Sequence, residues 1–232
     1  MTLTVGSLFS GIGGLDLGLE RAGMTVRWQS EIDPYASRVL AKHWPTVPNL
    51  GDVTQIEWSD VEPVDLICGG FPCQDISVLG KRAGLSGERS GLWANYAEAV
   101  RVLRPRHVLV ENVPSLLVRG FDRVAADLAG MGYGFEWAVI PASAIGAPHL
   151  RARIWILAYP GGKRDRLPQD SVFAGWCSPQ HSDWWASEPG VCRVADGIPA
   201  QVDRLRALGN SVVPQIPEWI GRQLLSSLVE AE

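Results

Sequence analysis

The chain is 232 residues long, 46% hydrophobic and 20% charged, with a formal net charge of −4 at pH 7. That length holds one α/β domain with a sizeable core and at most a small appendage, and the composition is that of a soluble globular protein. No run of about 18 apolar residues exists, so no membrane span is expected, and residues 1–5 lack the basic-then-apolar pattern of a secretory leader.

Short apolar runs alternate with amphipathic stretches over the first 160 residues, which predicts a mostly parallel sheet with helices on both faces. A strand over 3–8 runs into a glycine-rich turn, and a helix follows over 14–22. A second strand over 25–29 ends at Ser30-Glu31. The helix over 34–43 opens with Asp33 as cap and Pro34 at its first position. Two further buried strands are predicted at 64–68 and 107–110, with helices at 91–103 and 121–131. A late strand pair follows at 135–140 and 153–158. From Pro160 to about residue 199 the chain is rich in Gly, Pro, Ser, Asp and Trp, with Trp176, Trp184 and Trp185 as anchors, and it predicts an irregular segment. Regular structure resumes over 202–208 and in a C-terminal helix over 213–228.

The net charge hides an asymmetry. Residues 1–150 carry 12 basic and 16 acidic side chains, whereas residues 151–211 carry eight basic and six acidic. All but three of the 21 cations are arginine, whose planar fork suits phosphates and guanine edges, although surface arginines also serve solubility alone. The four cysteines, Cys68, Cys73, Cys177 and Cys192, form no CxxC pair, so neither a metal site nor a disulfide framework is expected and reduced, cytoplasmic thiols are the default.

Phe9-Ser10-Gly11-Ile12-Gly13-Gly14 sits between the first strand and the first helix, where glycines let the backbone approach a ligand at the carboxyl edge of a sheet. Glu31 ends the second strand, placed to accept hydrogen bonds from both hydroxyls of a ribose. Gly51-Asp52-Val53 adds a third loop, in which Asp52 could accept from an adenine amino group. Glycine turns after strands also arise for steric reasons alone, and the strict dinucleotide fingerprint is absent. Three such loops in order favour an adenosine-containing ligand, while the lack of a Walker lysine disfavours ATP.

Gly69-Gly70-Phe71-Pro72-Cys73-Gln74 follows the next strand. Cys68, within the apolar run, fits a packing role. Cys73 does not, because Pro72 and the glycines put it on a loop at the ligand edge. Glu111 ends the following strand, as a functional acid or as a cap for the residues after Pro114. Arg151 and Arg153 alternate, so on a strand they would share one face, either in a site or on a solvated edge.

Together these segments resemble the DNA cytosine-5 methyltransferase family across residues 3–160 and 193–230. Leu8 to Leu15 looks like its cofactor loop, Phe71-Pro72-Cys73-Gln74 like its nucleophile loop and Glu111-Asn112-Val113 like its base-binding tripeptide. Arg151-Ala152-Arg153 resembles the paired-arginine motif. Arg206-Ala207-Leu208-Gly209-Asn210-Ser211-Val212-Val213-Pro214 resembles the segment closing the cofactor pocket.

The resemblance implies a Rossmann-like α/β fold that uses S-adenosyl-L-methionine and leaves S-adenosyl-L-homocysteine. Residues 1–159 would be the catalytic and cofactor domain, 160–200 a short target-recognition segment, and 201–232 a return to the catalytic domain. Cys73, Glu111, Arg151 and Arg153 would be catalytic. Cofactor contacts would come from Phe9, Ser10, Gly11, Gly13, Gly14, Leu15, Glu31, Ile32, Asp52, Val53, Pro72, Leu92, Asn210, Ser211 and Val212. Gln74, Ser77, Lys81, Arg82 and Arg89 would contact double-stranded DNA. In such chemistry a cysteine thiolate adds to carbon 6 of a flipped-out cytosine so that carbon 5 can accept a methyl group. The implied setting is a monomer in the cytoplasm at the nucleoid, in restriction-modification or phage self-protection.

Two features depart from the family pattern. His149 stands where members usually carry glutamine, and 160–200 is short for independent sequence reading. Recognition is then minimal, relaxed, truncated or shared with a partner chain. A tRNA cytosine-5 methyltransferase and a catalytically silent DNA-binding module are the alternatives. The first lacks its Cys-Phe-Thr signature here, and the second has no need of all four catalytic residues.

Overall fold

The computed structural model describes residues 2–72, 91–161, 171–173 and 208–229. Six strands, β1 (Thr4–Leu8), β2 (Thr25–Ser30), β3 (Leu66–Gly69), β4 (His107–Asn112), β5 (Tyr133–Ile140) and β6 (Arg153–Pro160), form one sheet in the order β2-β1-β3-β4-β6-β5. The helices are α1 (Gly14–Arg21), α2 (Pro34–His43), α3 (Leu92–Leu103), α4 (Phe121–Gly130) and α5 (Gln215–Val229), with a single helical turn at Leu116–Arg119. Strands β1 to β4 are mutually parallel, as the alternating pattern predicts, and the arrangement is Rossmann-like, as the resemblance implies.

Local chemistry accounts for two of the element starts. Asp33 Oδ1 accepts from the N–H of Tyr35 and of Ala36, both at 2.9 Å, and Pro34 opens α2. Strand β3 starts at Leu66 rather than at residue 64 because Asp65 turns its carboxylate onto β1, accepting from Thr4 N–H and Oγ1 at 2.9 and 2.8 Å.

The late strand pair is antiparallel, and it is more deeply placed than its sequence indicates. Strand β6 lies between β4 and β5, antiparallel to both, so it is no edge. The predicted irregular segment falls mostly outside the described residues, as does nearly all of 202–208.

The sheet separates two apolar layers by strand alternation. Val108 and Val110 of β4 and Ile154 and Ile156 of β6 face one side, against Trp93, Tyr96 and Val100 of α3 and Val124 and Leu128 of α4. Leu109, Trp155 and Leu157 face the other, against Leu15 and Leu19 of α1 and Ile216, Ile220 and Leu224 of α5. Cys68 is wholly buried in this second layer, in the packing role expected of it. Among the described residues no helix is long and apolar enough to cross a membrane.

A polar network interrupts that layer beneath the glycine loop. Asp16, in the first turn of α1, is fully buried and accepts from Ser7 Oγ at 3.0 Å and from Gln29 Nε2 at 2.7 Å. Burial outweighs those bonds and pushes the Asp16 carboxyl up to about 6. The folded state therefore holds a proton on Asp16 that an unfolded carboxyl releases near pH 4. The network's contribution is fullest below about pH 4, falls as pH rises to about 6, and is level above that, a loss on the order of 2–3 kcal/mol. Asp16→Asn keeps the acceptor for Gln29 and removes the ionisable group. Chemical denaturation at a series of pH values should show the variant gaining stability over wild type at pH 8 and little at pH 4. An equal difference at both values would reject burial of the charge as the cause.

Candidate active site

Parallel strands bring the ends of β1, β2, β3 and β4 to one edge of the sheet. A cavity of about 620 Å³ opens there, within the usual range for small-molecule sites. Phe9 and Gly11 after β1, Glu31 and Ile32 after β2, and Asp52 and Val53 line one part of it. Gly70 and Pro72 after β3, Glu111 and Asn112 at the end of β4, Arg153 at the start of β6, Leu92 of α3 and Asn210 line the rest together with their neighbours.

The glycine loop is held from beneath. Ser10 is buried, with its hydroxyl donating to Ser7 O at 3.1 Å and its N–H to Ser30 O at 3.2 Å. Glu31 closes the loop from the next strand: Oε2 accepts from Gly11 N–H and Oε1 from Asp33 N–H, each at 2.7 Å. Each carboxylate oxygen keeps acceptor capacity for a ligand hydroxyl. Asp52 uses Oδ1 for the N–H and Oγ1 of Thr54, at 2.9 and 2.8 Å.

The other half of the cavity centres on Glu111. Antiparallel pairing sets Glu111 opposite Trp155 and Asn112 opposite Ile154, so Arg153 starts its strand where β4 ends. Arg153 Nε lies 2.9 Å from Glu111 Oε1 with both side chains largely buried, which rules out the solvated-edge and helix-cap readings of these residues. Burial outweighs the attraction of Arg153 and Arg151, and the Glu111 carboxyl is raised to about 7. Gly70 gives it room, because a methyl group there would sit 2.6 Å from Glu111 Oε2 and push the carboxylate aside.

Asn112 holds the approach to the cysteine loop, donating from Nδ2 to Phe71 O at 2.9 Å. The buried Phe71 ring packs on Trp93, centroids 5.2 Å apart, and Trp93 stacks on Tyr96 at 5.3 Å. The backbone therefore reaches Pro72, in the cavity wall, from a fixed base.

A family model described as C-5 cytosine-specific DNA methylase matches residues 3–174. The chain belongs to that family. It is 34% identical over 215 residues to type II methyltransferase M2.BsuMI of Bacillus subtilis (strain 168), covering 89% of this chain and 50% of that protein. It is 37% identical over 164 residues to type II methyltransferase M.Eco47II of Escherichia coli, covering 67% of this chain and 39% of that protein. The chain thus spans half or less of the length of these curated relatives. The solved structure of Entamoeba histolytica methyltransferase EhMeth shares the fold, with a TM-score of 0.65 at 16% identity over 99% of this chain and 98% of that one.

The residues singled out from sequence sort into groups. Phe9, Gly11, Glu31, Ile32, Asp52, Val53, Pro72, Leu92, Glu111, Arg153 and Asn210 line the cavity. Ser10, Gly13, Gly14, Leu15, Ser211 and Val212 do not, and those near the first loop support it: Leu15 is buried in the core and Val212 packs on Gly14.

Arg151 departs from the alternation argument. It precedes β6 with a left-handed backbone (φ 27°), and its Nη2 donates to Gly209 O at 2.8 Å and to Ser211 O. It ties down the segment that carries Asn210. Cys73, Gln74, Ser77, Lys81, Arg82 and Arg89 lie outside the described residues. Asn49 carries no periodic or motif signal, and the tripeptide resemblance at Asn112 does not mark its side chain as a tether.

Replacing Arg153 by Met removes the charge that opposes burial at Glu111. The carboxyl should then titrate above about 7, read by carbon-13 NMR of labelled glutamate across pH. An unchanged or lower midpoint would show that Arg153 does not control this group.

Proposed function

We propose that this chain methylates carbon 5 of cytosine in double-stranded DNA, with Cys73 as covalent nucleophile and S-adenosyl-L-methionine as cofactor. The observation that carries the reading is Glu111, buried against Arg153 in a wall shared with Glu31 and Asp52. One cavity thereby joins an acid able to carry a proton near neutral pH to a half suited to a nucleoside.

The donor set fits the cofactor. Glu31 offers acceptors for ribose hydroxyls and Asp52 for an adenine amino group, while Phe9, Ile32, Val53 and Leu92 give apolar walls. When bound, S-adenosyl-L-methionine supplies an electrophilic methyl group and leaves as S-adenosyl-L-homocysteine.

The target base must be flipped out of the duplex to reach such a cavity. The Cys73 thiolate then adds to carbon 6, and the electron pair of the carbon 5–carbon 6 double bond makes carbon 5 nucleophilic. Protonated Glu111 donates to the ring nitrogen beside the exocyclic amine as that attack proceeds. Arg153 faces the ring carbonyl and holds Glu111 in place. Once carbon 5 carries the methyl group, water takes its proton, the carbon 5–carbon 6 double bond re-forms, Cys73 leaves as thiolate, and the ring nitrogen returns its proton to Glu111. Arg151 supports the site through the Gly209–Ser211 backbone. Gln74, Ser77, Lys81, Arg82 and Arg89 would grip the DNA, and residues 160–200 or a partner chain would read its sequence.

Cys73→Ala should abolish transfer of labelled methyl groups to duplex DNA while sparing cofactor binding, and wild type should form a covalent adduct with DNA containing 5-fluorocytosine. Glu111→Gln should slow turnover by about 10²- to 10⁴-fold. On Glu111's account the rate is supported below about pH 7 and declines as pH rises through that value. Absence of an adduct with cofactor bound would overturn the mechanism.

A further inference from the structure

Strand β2 gains a short parallel partner beyond β1 in the segment at Asn49. Gln29 N–H donates to Pro48 O at 2.9 Å, and Leu50 N–H donates to Gln29 O at 2.7 Å, a single bridge of Gln29 with Asn49. In a parallel ladder the next residue to pair on the β2 side is two further on, which is Glu31. The partner backbone is not there to pair with it, because Gly51 adopts a left-handed conformation (φ 75°) and turns the chain away.

The side chain of Asn49 takes the missing place. Its Oδ1 accepts from Glu31 N–H at 2.9 Å, and its Nδ2 donates to Glu31 O at 3.1 Å. The same Oδ1 accepts from Gly51 N–H at 3.1 Å, and the second Nδ2 hydrogen goes to Ser37 Oγ at 3.1 Å. Two donors and two acceptor positions are the whole capacity of a carboxamide, and all four are used. Only an asparagine at this position has a donor and an acceptor at the reach of one peptide unit.

We infer that Asn49 is a positioning residue that acts as a surrogate peptide group, extending the ladder by one rung and fixing the backbone of Glu31. With N–H and C=O of Glu31 both held, its carboxylate is aimed at Gly11 N–H and Asp33 N–H and at the cavity. The amide is solvent-exposed at the outer side of the cavity, so its effect on a ligand runs through Glu31. The inference rests on the proposal that Glu31 holds the ribose of the cofactor.

Calorimetric titration of the full chain with S-adenosyl-L-homocysteine tests it. Asn49→Ala should weaken binding about three- to tenfold, with KM for the cofactor raised by a similar factor and kcat at saturation little changed. Asn49→Asp keeps an acceptor and loses both donors, and should bind no better than Asn49→Ala; this variant also serves if Asn49→Ala does not fold. Glu31→Ala should weaken binding more, and Asn49→Ala added to Glu31→Ala should cost nothing further, since the amide then has no carboxylate to aim. Additive losses in the double variant, or wild-type affinity in Asn49→Ala whatever its melting temperature, would overturn the role of Asn49. A wild-type chain that binds no S-adenosyl-L-homocysteine would instead overturn the cofactor reading on which this inference stands.

Discussion

One antiparallel strand among parallel neighbours decides where the charges of this site meet. Strands β1 to β4 all end at the same edge of the sheet, so the loops that follow them converge on one cavity. A further parallel strand would have brought only another loop to that edge. Because β6 runs the opposite way beside β4, it delivers its first residue there, and Arg153, one residue before the Ile154–Asn112 rung, arrives against Glu111. Neither residue depends on a loop for its position. That matters energetically, since a buried carboxylate facing a poorly placed cation would lose most of the attraction that offsets its desolvation. Even with Arg153 in place burial prevails and the carboxyl is raised to about 7. A rigid frame of this kind can hold an acid ready to give a proton near neutral pH, which a flexible loop cannot do without cost in ordering it.

The remaining contacts transmit that rigidity outward. Asn112 sits beside Glu111 on the same strand and holds Phe71, while the Phe71–Trp93–Tyr96 stack roots the same stretch in α3. Arg151, just ahead of Arg153, holds the Gly209–Ser211 backbone through two donated bonds, and Asn210 in that segment lines the cavity. Two neighbours of the central pair thus reach segments far away in the chain. Asn112 on β4 and Arg151 just ahead of β6 therefore brace two parts of the cavity wall, the stretch before Pro72 and the segment of Asn210.

Much of this was legible in the sequence, for identifiable reasons. The strands follow from apolar runs bounded by turn residues, the start of α2 from Asp33-Pro34, and the first loop and Glu31 from glycine chemistry at a strand end. The place of β6 was not legible, because alternation shows that a strand exists and says nothing of its neighbours. The same gap misplaced Arg151: a shared face with Arg153 presumed that both lie on the strand, whereas the strand begins at Arg153 and the left-handed turn at Arg151 sends that side chain elsewhere. Asn49 escaped notice because a polar residue in an irregular segment has no period, and its meaning depends on the register of β2 with its neighbour. Residues 73–90, 162–170 and 174–207 lie outside the described residues, so the expectations placed on them stand as proposals.

The division of labour between backbone and side chain in this cavity has a common logic. Each acid that faces it is aimed by bonds that leave part of its capacity open. Glu31 spends one lone pair of each oxygen on Gly11 and Asp33, Asp33 spends one oxygen on Tyr35 and Ala36, Asp52 spends one on Thr54, and Glu111 faces Arg153 through Oε1 while Gly70 leaves room at Oε2. An acid with no protein partner would be free to rotate, and one fully saturated could bind nothing. Partial satisfaction by rigid backbone N–H groups or a strand-borne cation fixes direction and keeps reactivity. Asn49 behind Glu31 and Arg153 beside Glu111 complete those arrangements by holding the acids in place.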